Sequence, residues 1–159
     1  MSDFLSNVER PYARVRAGLN WLQPWFLLAV RLYWGWQFVQ TGWGKLHNLD
    51  HVTQFFISLN IPAPHASAIL CGSAEFFGGI FLILGLLSRL TAFVLFINMT
   101  VAYWTGDRVA LGSIFSDPGK FYAADPYTFW FAALLILIFG PGALALDLLL
   151  RRRWGMRSA

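Results

Sequence analysis

Two charged residues stand inside long apolar stretches of this chain. Arg31 lies in the stretch from residue 24 to 43, and Glu75 lies in the stretch from residue 66 to 87. A charge at the depth of a bilayer costs about 3 kcal/mol on insertion scales, so it marks either a function or a pairing inside a bundle. A buried carboxylate can exchange protons with a bound group, and a buried guanidinium can neutralise that carboxylate or hold the same group. We therefore take Glu75 and Arg31 as the candidate catalytic residues.

Helical rise places these two side chains at different depths. With 1.5 Å per residue, Arg31 is about 10 Å and Glu75 about 20 Å from the inner ends of their stretches. Gln37 is then expected near the level of Glu75 and Asn98 near the level of Arg31, with Trp34 as part of an aromatic cleft. The long arginine side chain could close the gap, since neither charge would persist unpaired. Two interpretations stay open: an ion pair that fixes helix register, or a site for a quinone head group with Glu75 exchanging its protons.

Lys45 follows Gly42-Trp43-Gly44, where the first apolar stretch ends. A lysine in this position usually snorkels to the membrane surface as an anchor. The alternative is that it attracts an anionic substrate. Together with Gln37, Asn98 and Trp34, it completes the set of candidate substrate- or quinone-binding residues.

The cysteine and histidine residues favour no metal site. Cys71 is the single cysteine, which excludes an internal disulfide, a CxxC pair and a thiolate-built cluster. It lies one helical turn before Glu75, where a small apolar filler is the favoured interpretation. His47 and His51 are four residues apart, but no further ligand is evident. We expect no metal, haem or iron–sulfur centre.

Composition places the chain in the membrane class. Hydrophobic residues make up 57% of the 159 residues and charged residues 13%, where a soluble domain carries about 25% charged residues. The net charge of +4 does not indicate nucleic-acid binding, because most of the basic residues flank the apolar stretches, as cytoplasmic retention and anionic lipids favour. The length suits one compact bundle without a separate catalytic domain.

The pattern predicts an all-α integral membrane four-helix bundle in a single domain. Four apolar stretches are expected to cross about 30 Å of hydrocarbon: 24–43, 66–87, 90–104 and 127–150. The third is shorter than the other three. Pro24 is expected in a first helical turn. Gly140-Pro141-Gly142 should bend or interrupt the last stretch. The first stretch is read as an uncleaved anchor rather than a signal peptide.

Basic residues also predict the orientation. One side of the expected bundle has eight lysines and arginines: Arg10, Arg14, Arg16, Arg89, Arg151, Arg152, Arg153 and Arg157. The other side has three: Lys45, Arg108 and Lys120. Both termini should therefore be cytoplasmic.

Two connections on the outer side are expected to be structured. In the first, apolar residues recur with the spacing of one helix face, at Val52, Phe55, Phe56 and Leu59. This segment is too short to span, so it predicts a short interfacial helix. The second runs from residue 106 to 126 and is long enough to suggest a functional lid.

These motifs together resemble the DoxX family. The first stretch matches at Arg31, Gly35, Gly42 and Gly44-Lys45, and the second at Gly72, Glu75, Gly78-Gly79, Gly85-Leu86 and Arg89. The last matches at Gly140-Pro141-Gly142 and Asp147. The resemblance covers residues 28 to 148 and depends on the order and spacing of motifs that are individually weak.

The resemblance implies a four-helix protein of a bacterial or archaeal inner membrane. It also implies a link to sulfur and quinone redox chemistry, since the family includes small subunits of a thiosulfate:quinone oxidoreductase, and it draws attention to Arg31, Lys45, Glu75, Arg89 and Asp147. The long 106–126 lid and the basic, tryptophan-containing tail depart from short family members, and both would suit docking to a partner.

Two functions remain open. The first is a quinone-linked redox subunit, with electrons supplied by an external donor or by a partner subunit. The second is a non-catalytic subunit that anchors or stabilises a membrane assembly. Both predict the lipid bilayer as a partner, together with other membrane subunits or further copies of the chain, and neither involves nucleic acid.

Overall fold

The computed structural model describes residues 2–153, and the side chains of residues 12–150. Within these residues the fold is all-α, as predicted. Its eight helices are α1 (Ser2–His47), α2 (Leu49–Ser58), α3 (Pro64–Leu84), α4 (Ser88–Thr105), α5 (Arg108–Gly112), α6 (Pro118–Ala123), α7 (Pro126–Phe139) and α8 (Leu146–Arg153). The described part of the chain contains no strand. The expected docking tail, with Trp154 and Arg157, lies outside the described residues.

Helix α1 is much longer than the sequence predicts. Pro24 was expected to begin it, but the helix starts at Ser2 and Pro24 lies in its interior. That expectation is wrong because a proline forfeits only one backbone hydrogen bond, which a long helix can tolerate. The side chains from residue 12 to 23 are all exposed, so this half of α1 stands clear of the other helices.

Glycines bring α1 and α3 into close antiparallel contact. A Cβ atom at Gly79 would lie 2.6 Å from the carbonyl oxygen of Gly35, and one at Gly42 would lie 2.7 Å from that of Gly72. The two backbones therefore approach to a distance that no larger residue permits. Gly72 and Gly79 thus pack α3 against α1, and Gly78 packs α3 against Leu95 of α4.

The longer helices pack in a closed order. Helix α3 packs against α1 and α4, and α7 packs against α4 and α1, while α2 packs on α3. The side chains between them form one apolar core, whose buried members are Phe38, Leu82, Ala92, Leu95, Met99, Ala133 and Ile136. One described helix, α3, is both long and apolar enough to cross a membrane by itself.

The last apolar stretch is interrupted where expected. Helix α7 ends at Phe139 and α8 begins at Leu146. Gly140 and Gly142 have φ of +86° and +71°, which L side chains rarely adopt. A Cβ at Gly142 would also lie 2.5 Å from the carbonyl oxygen of Pro24. The break therefore packs tightly against α1.

The two connections predicted to be structured contain helices. Helix α2 covers most of the first, and the lid from residue 106 to 126 contains α5 and α6. The Tyr103 hydroxyl donates a hydrogen bond of 2.9 Å to the carbonyl oxygen of Phe121, and the two rings stack 4.9 Å apart. This buried contact joins the lid to the end of α4.

Candidate functional site

A cluster of polar side chains is built around Glu75, near the middle of α3. Glu75 is fully buried. Its Oε1 accepts hydrogen bonds from Lys45 Nζ of α1 and from Asn98 Nδ2 of α4, the latter at 2.9 Å. The Cys71 thiol, one turn earlier on α3, lies 3.6 Å from both Glu75 Oε1 and Lys45 Nζ. Three helices thus contribute to one polar cluster.

The second carboxylate oxygen of Glu75 is different. Oε2 is buried and has no hydrogen-bond partner within the described part of the chain. An unsatisfied buried acceptor costs about 1–3 kcal/mol, more when it is charged, so native proteins rarely keep one without a reason. The cluster therefore has an unused acceptor beside an ammonium and an amide donor.

The expected pairing of Arg31 with Glu75 is wrong. Arg31 donates instead to the carbonyl oxygens of Pro141 and Leu144, at 2.7 and 3.0 Å. The α7–α8 break leaves carbonyl groups without helical partners, and a guanidinium can donate to two of them at once. The expectation that Lys45 snorkels is also wrong, because its ammonium points inward to Glu75.

Asp147 and Arg89, the other charged positions of the resemblance, both make contacts near the α7–α8 break. Asp147 accepts hydrogen bonds from the backbone N–H groups of Leu87 and Ser88, at 2.7 and 2.8 Å. A carboxylate there satisfies and offsets the positive end of α4. Arg89 Nη2 donates to the carbonyl oxygen of Ile138 at 3.3 Å. With Arg31, these residues hold the α7–α8 break to α1 and α4.

A cavity of about 720 Å³ lies beside the Glu75 cluster. Lys45, Cys71, Glu75 and Asn98 all line it. Most of its remaining wall is apolar and comes from α2, α3 and α4: Val52, Phe55, Phe56, Leu59, Leu70, Ala74, Val94, Ile97, Met99, Val101 and Ala102. This volume is within the range of small-molecule sites, which are likewise apolar with a few convergent polar groups.

The cavity opens sideways through the outer surface of the helices. Leu70, Val94 and Val101 line it, yet their residues are 73%, 46% and 50% exposed. Such residues border an opening between α3 and α4 rather than a closed interior. At the α2 end the lining becomes polar and includes His51, Asp107 and Asp125.

The structure brings together only part of the site predicted from sequence. Glu75, Lys45 and Asn98 meet in the cluster, although Asn98 was expected at the level of Arg31. Gln37 does not line the cavity. Trp34 does not line it either, but its ring packs edge-on against Phe129, which does, at 5.2 Å.

The sequence analysis assigned no role in this site to Cys71 and predicted no metal ligands. Cys71 was interpreted as an inert filler, but it contacts the cluster and faces the cavity. Its spacing of four residues from Glu75 was the available signal, since both lie on one helix face. Among the described residues, no group of three histidine, cysteine or carboxylate side chains could hold a metal ion.

Comparison with known proteins identifies the family. The family model described as DoxX matches residues 26–108, a range that contains Arg31, Lys45, Glu75 and Asn98. The chain belongs to the DoxX family. The resemblance of the sequence motifs to DoxX is thereby confirmed, and the matched DoxX range includes α2, α3 and α4 entirely.

Two DoxX-like relatives come from Escherichia coli K12. The inner membrane protein YphA is 33% identical over 134 residues, which cover 79% of this chain and 90% of YphA. The inner membrane protein YqjF is 26% identical over 129 residues, which cover 80% of this chain and 94% of YqjF. No solved structure matches the chain.

Proposed function

We propose that this protein is an integral subunit of a bacterial inner membrane that binds a quinone in the cavity beside Glu75. In this proposal α1, α3, α4 and α7 cross the bilayer as a four-helix bundle, with both termini in the cytoplasm. The apolar composition, the length and hydropathy of α3, and the exposed apolar side chains support the membrane location. The two relatives are named as inner membrane proteins.

The observation that carries the quinone proposal is the unused Oε2 of Glu75, a residue that lines a cavity opening between α3 and α4. A quinone ring offers two carbonyl acceptors, and Lys45 Nζ and Asn98 Nδ2 are donors on the same wall. A quinol offers hydroxyl donors, for which Oε2 is a free acceptor. The site therefore has partners for both redox states of the ring.

Reduction of a quinone consumes two electrons and two protons, and the Glu75 cluster supplies a route for the protons. Glu75 lines the cavity, and its partner Lys45 is one-third exposed at its side chain, so the pair would connect the ring to the polar end of the cavity. We propose that a reduced sulfur anion, or a partner subunit that oxidises one, provides the electrons. This follows the resemblance to thiosulfate:quinone oxidoreductase subunits.

A second candidate function is a non-catalytic subunit that stabilises a membrane assembly. It is favoured by the N-terminal half of α1, whose side chains from residue 12 to 23 are all exposed. Apolar residues of this half and of the turn after it repeat with alternating spacings of three and four: Tyr12, Val15, Leu19, Leu22 and Phe26. Such a stripe is typical of a helix that packs on another helix.

Quinone binding by the purified protein separates these functions. The protein would be placed in lipid nanodiscs, and its affinity for a prenylated benzoquinone measured by equilibrium binding. We expect Glu75→Gln and Asn98→Leu to weaken binding at least tenfold, because each removes a polar partner of the ring. The matched control is Gln37→Leu, which removes a polar side chain of α1 that lies outside the cavity and should leave the affinity unchanged.

The same preparation can also contradict the quinone proposal. Failure of the wild-type protein to bind quinone, together with stoichiometric co-purification of other membrane subunits, would overturn the quinone proposal and favour the accessory role. Equal weakening by Gln37→Leu and Glu75→Gln would also contradict the proposed site. In a preparation with its donor, Glu75→Gln should abolish quinone reduction while the protein stays folded.

A further inference from the structure

A second, smaller cavity adjoins the first along α3 and α4. Its volume is about 210 Å³, and two of its lining residues, Ala74 and Val94, also line the cavity beside Glu75. The other lining residues run away from Glu75 towards the α3–α4 turn: Phe77, Gly78, Phe81, Leu87, Leu90 and Thr91. We call this second cavity the α3–α4 groove.

The lining of the α3–α4 groove suits a hydrocarbon chain rather than a head group. Thr91 is its one hydroxyl-bearing residue, and that hydroxyl already donates to the carbonyl oxygen of Leu86. Gly78 lies against Leu95 and presents no side chain to the groove. Along α3, from Ala74 to Phe81, the groove extends for about 10 Å, at 1.5 Å of helix rise per residue.

We propose that the α3–α4 groove binds the isoprenoid tail of the quinone whose ring lies at Glu75. This inference rests on the proposed function and deepens it by naming the class of quinone. The two lining residues that the cavities share, Ala74 and Val94, carry it. A polar cluster in one cavity and an apolar groove beside it match a molecule with one polar and one prenylated end.

Selectivity for a prenyl tail must come from shape. Lipid tails are as apolar as the groove, so transferring a tail from bilayer to protein gains no hydrophobic free energy. What remains is van der Waals contact, which depends on how well the chain fits against the aromatic side chains of Phe77 and Phe81. A methyl-branched chain should therefore bind more tightly than a straight one.

The experiment compares three probes in lipid nanodiscs: dimethoxy-methyl-benzoquinone without a tail, the same ring with a tetraprenyl tail, and the same ring with a straight alkyl tail of equal carbon count. Affinities are expressed per mole of lipid, which removes the effect of partitioning. We expect the tetraprenyl probe to bind about tenfold more tightly than the straight-chain probe, from better packing alone.

Two variants close the groove. Leu87→Trp and Leu90→Trp each enlarge a side chain that lines the groove and does not line the cavity beside Glu75. Both should remove the preference for the tetraprenyl probe while preserving the affinity for the tail-less ring, which also shows that the variant is folded. Leu32→Trp is the matched control: Leu32 is 44% exposed, Leu87 is 54% exposed, and Leu32 lines neither cavity.

The outcomes separate the groove from the proposed function. If the tail-less ring binds, Glu75→Gln weakens it, and all tails bind equally in wild type and Leu90→Trp, the groove proposal is overturned while the quinone site stands. If no probe binds, the proposed function fails first. If Leu87→Trp and Leu90→Trp release a co-purifying phospholipid without changing tetraprenyl affinity, the groove holds an acyl chain and the isoprenoid assignment is wrong.

Discussion

Lys45 of α1 and Glu75 of α3 form an ion pair that uses only one carboxylate oxygen. Asn98 donates to that same oxygen from α4, so three helices meet at Oε1 while Oε2 is left free. A pair built only to fix helix register would gain more by engaging both oxygens. The asymmetry favours a site that holds a donor for Oε2 in its working state.

The pair should show strong energetic coupling. Lys45→Met leaves the Glu75 carboxylate buried without its cation and should destabilise the fold by about 2–3 kcal/mol, less than a fully buried pair because Lys45 is partly exposed. The double variant Lys45→Met/Glu75→Gln should be less destabilised than the sum of the single variants. Thermal unfolding in mild detergent measures this cycle, and additive effects would show that the pair is not formed.

The close approach of α1 and α3 should depend on particular glycines. Gly42→Ala places a Cβ against the backbone of Phe76 and Gly72, which cannot yield without separating the helices. We expect a loss of about 2 kcal/mol or more in unfolding free energy. The control is Gly44→Ala, where no atom lies within 4 Å of the added Cβ and greater helix propensity should stabilise slightly. Equal melting temperatures for the two variants would contradict the packing.

Asp147 should contribute to stability and not to ligand binding. Asp147→Ala removes two hydrogen bonds to the N-terminus of α4 and should cost about 2 kcal/mol. Because this contact lies at the α7–α8 break, away from the cavity beside Glu75, affinity for a quinone ring without a tail should be unchanged at temperatures where the variant is folded. A large loss of affinity without loss of stability would place Asp147 in the binding site instead.

Leu144 is the converse case, a residue whose replacement by glycine should be tolerated. It has φ of +50° and is 74% exposed, so its side chain contributes little packing while its backbone is strained. Leu144→Gly relieves a strain of about 1 kcal/mol, which offsets the entropy that glycine adds to the unfolded chain. We expect an unfolding midpoint within a few degrees of wild type. Gly142→Ala, at the same break, should instead lower it clearly.

The positions of the helices could be predicted from this sequence better than the contacts between them. The break at Gly140-Pro141-Gly142 and the helix following residue 48 follow from local rules on glycine, proline and apolar spacing. The start of α1 was placed too late because a proline near an apolar boundary satisfies the same local rules as a true helix start. The helical spacing of Tyr12, Val15, Leu19, Leu22 and Phe26, which continues through Pro24, was the available signal for the longer helix.

In the candidate site, too, one residue could be predicted from the sequence and its partner could not. Glu75 could be singled out because a charge in an apolar stretch is conspicuous. Its partner could not, since Arg31 and Lys45 are both within a helix length of it and rise alone does not fix which cation turns inward. The decision comes from the carbonyl groups freed at the α7–α8 break, which engage Arg31, and from the glycine contacts that set the register of α1 on α3.

The central claim is that a quinone ring occupies the space beside Glu75, and the single cysteine of the chain offers the most direct measurement. Cys71 Sγ lies 3.6 Å from Glu75 Oε1 and lines the same cavity. The rate at which a small maleimide labels Cys71 would be followed by mass spectrometry in nanodiscs with and without a prenylated benzoquinone. We expect saturating quinone to slow labelling at least tenfold in wild type and much less in Glu75→Gln. An unchanged rate in wild type, with quinone shown to be bound, would place the ring elsewhere and contradict the proposed site beside Glu75.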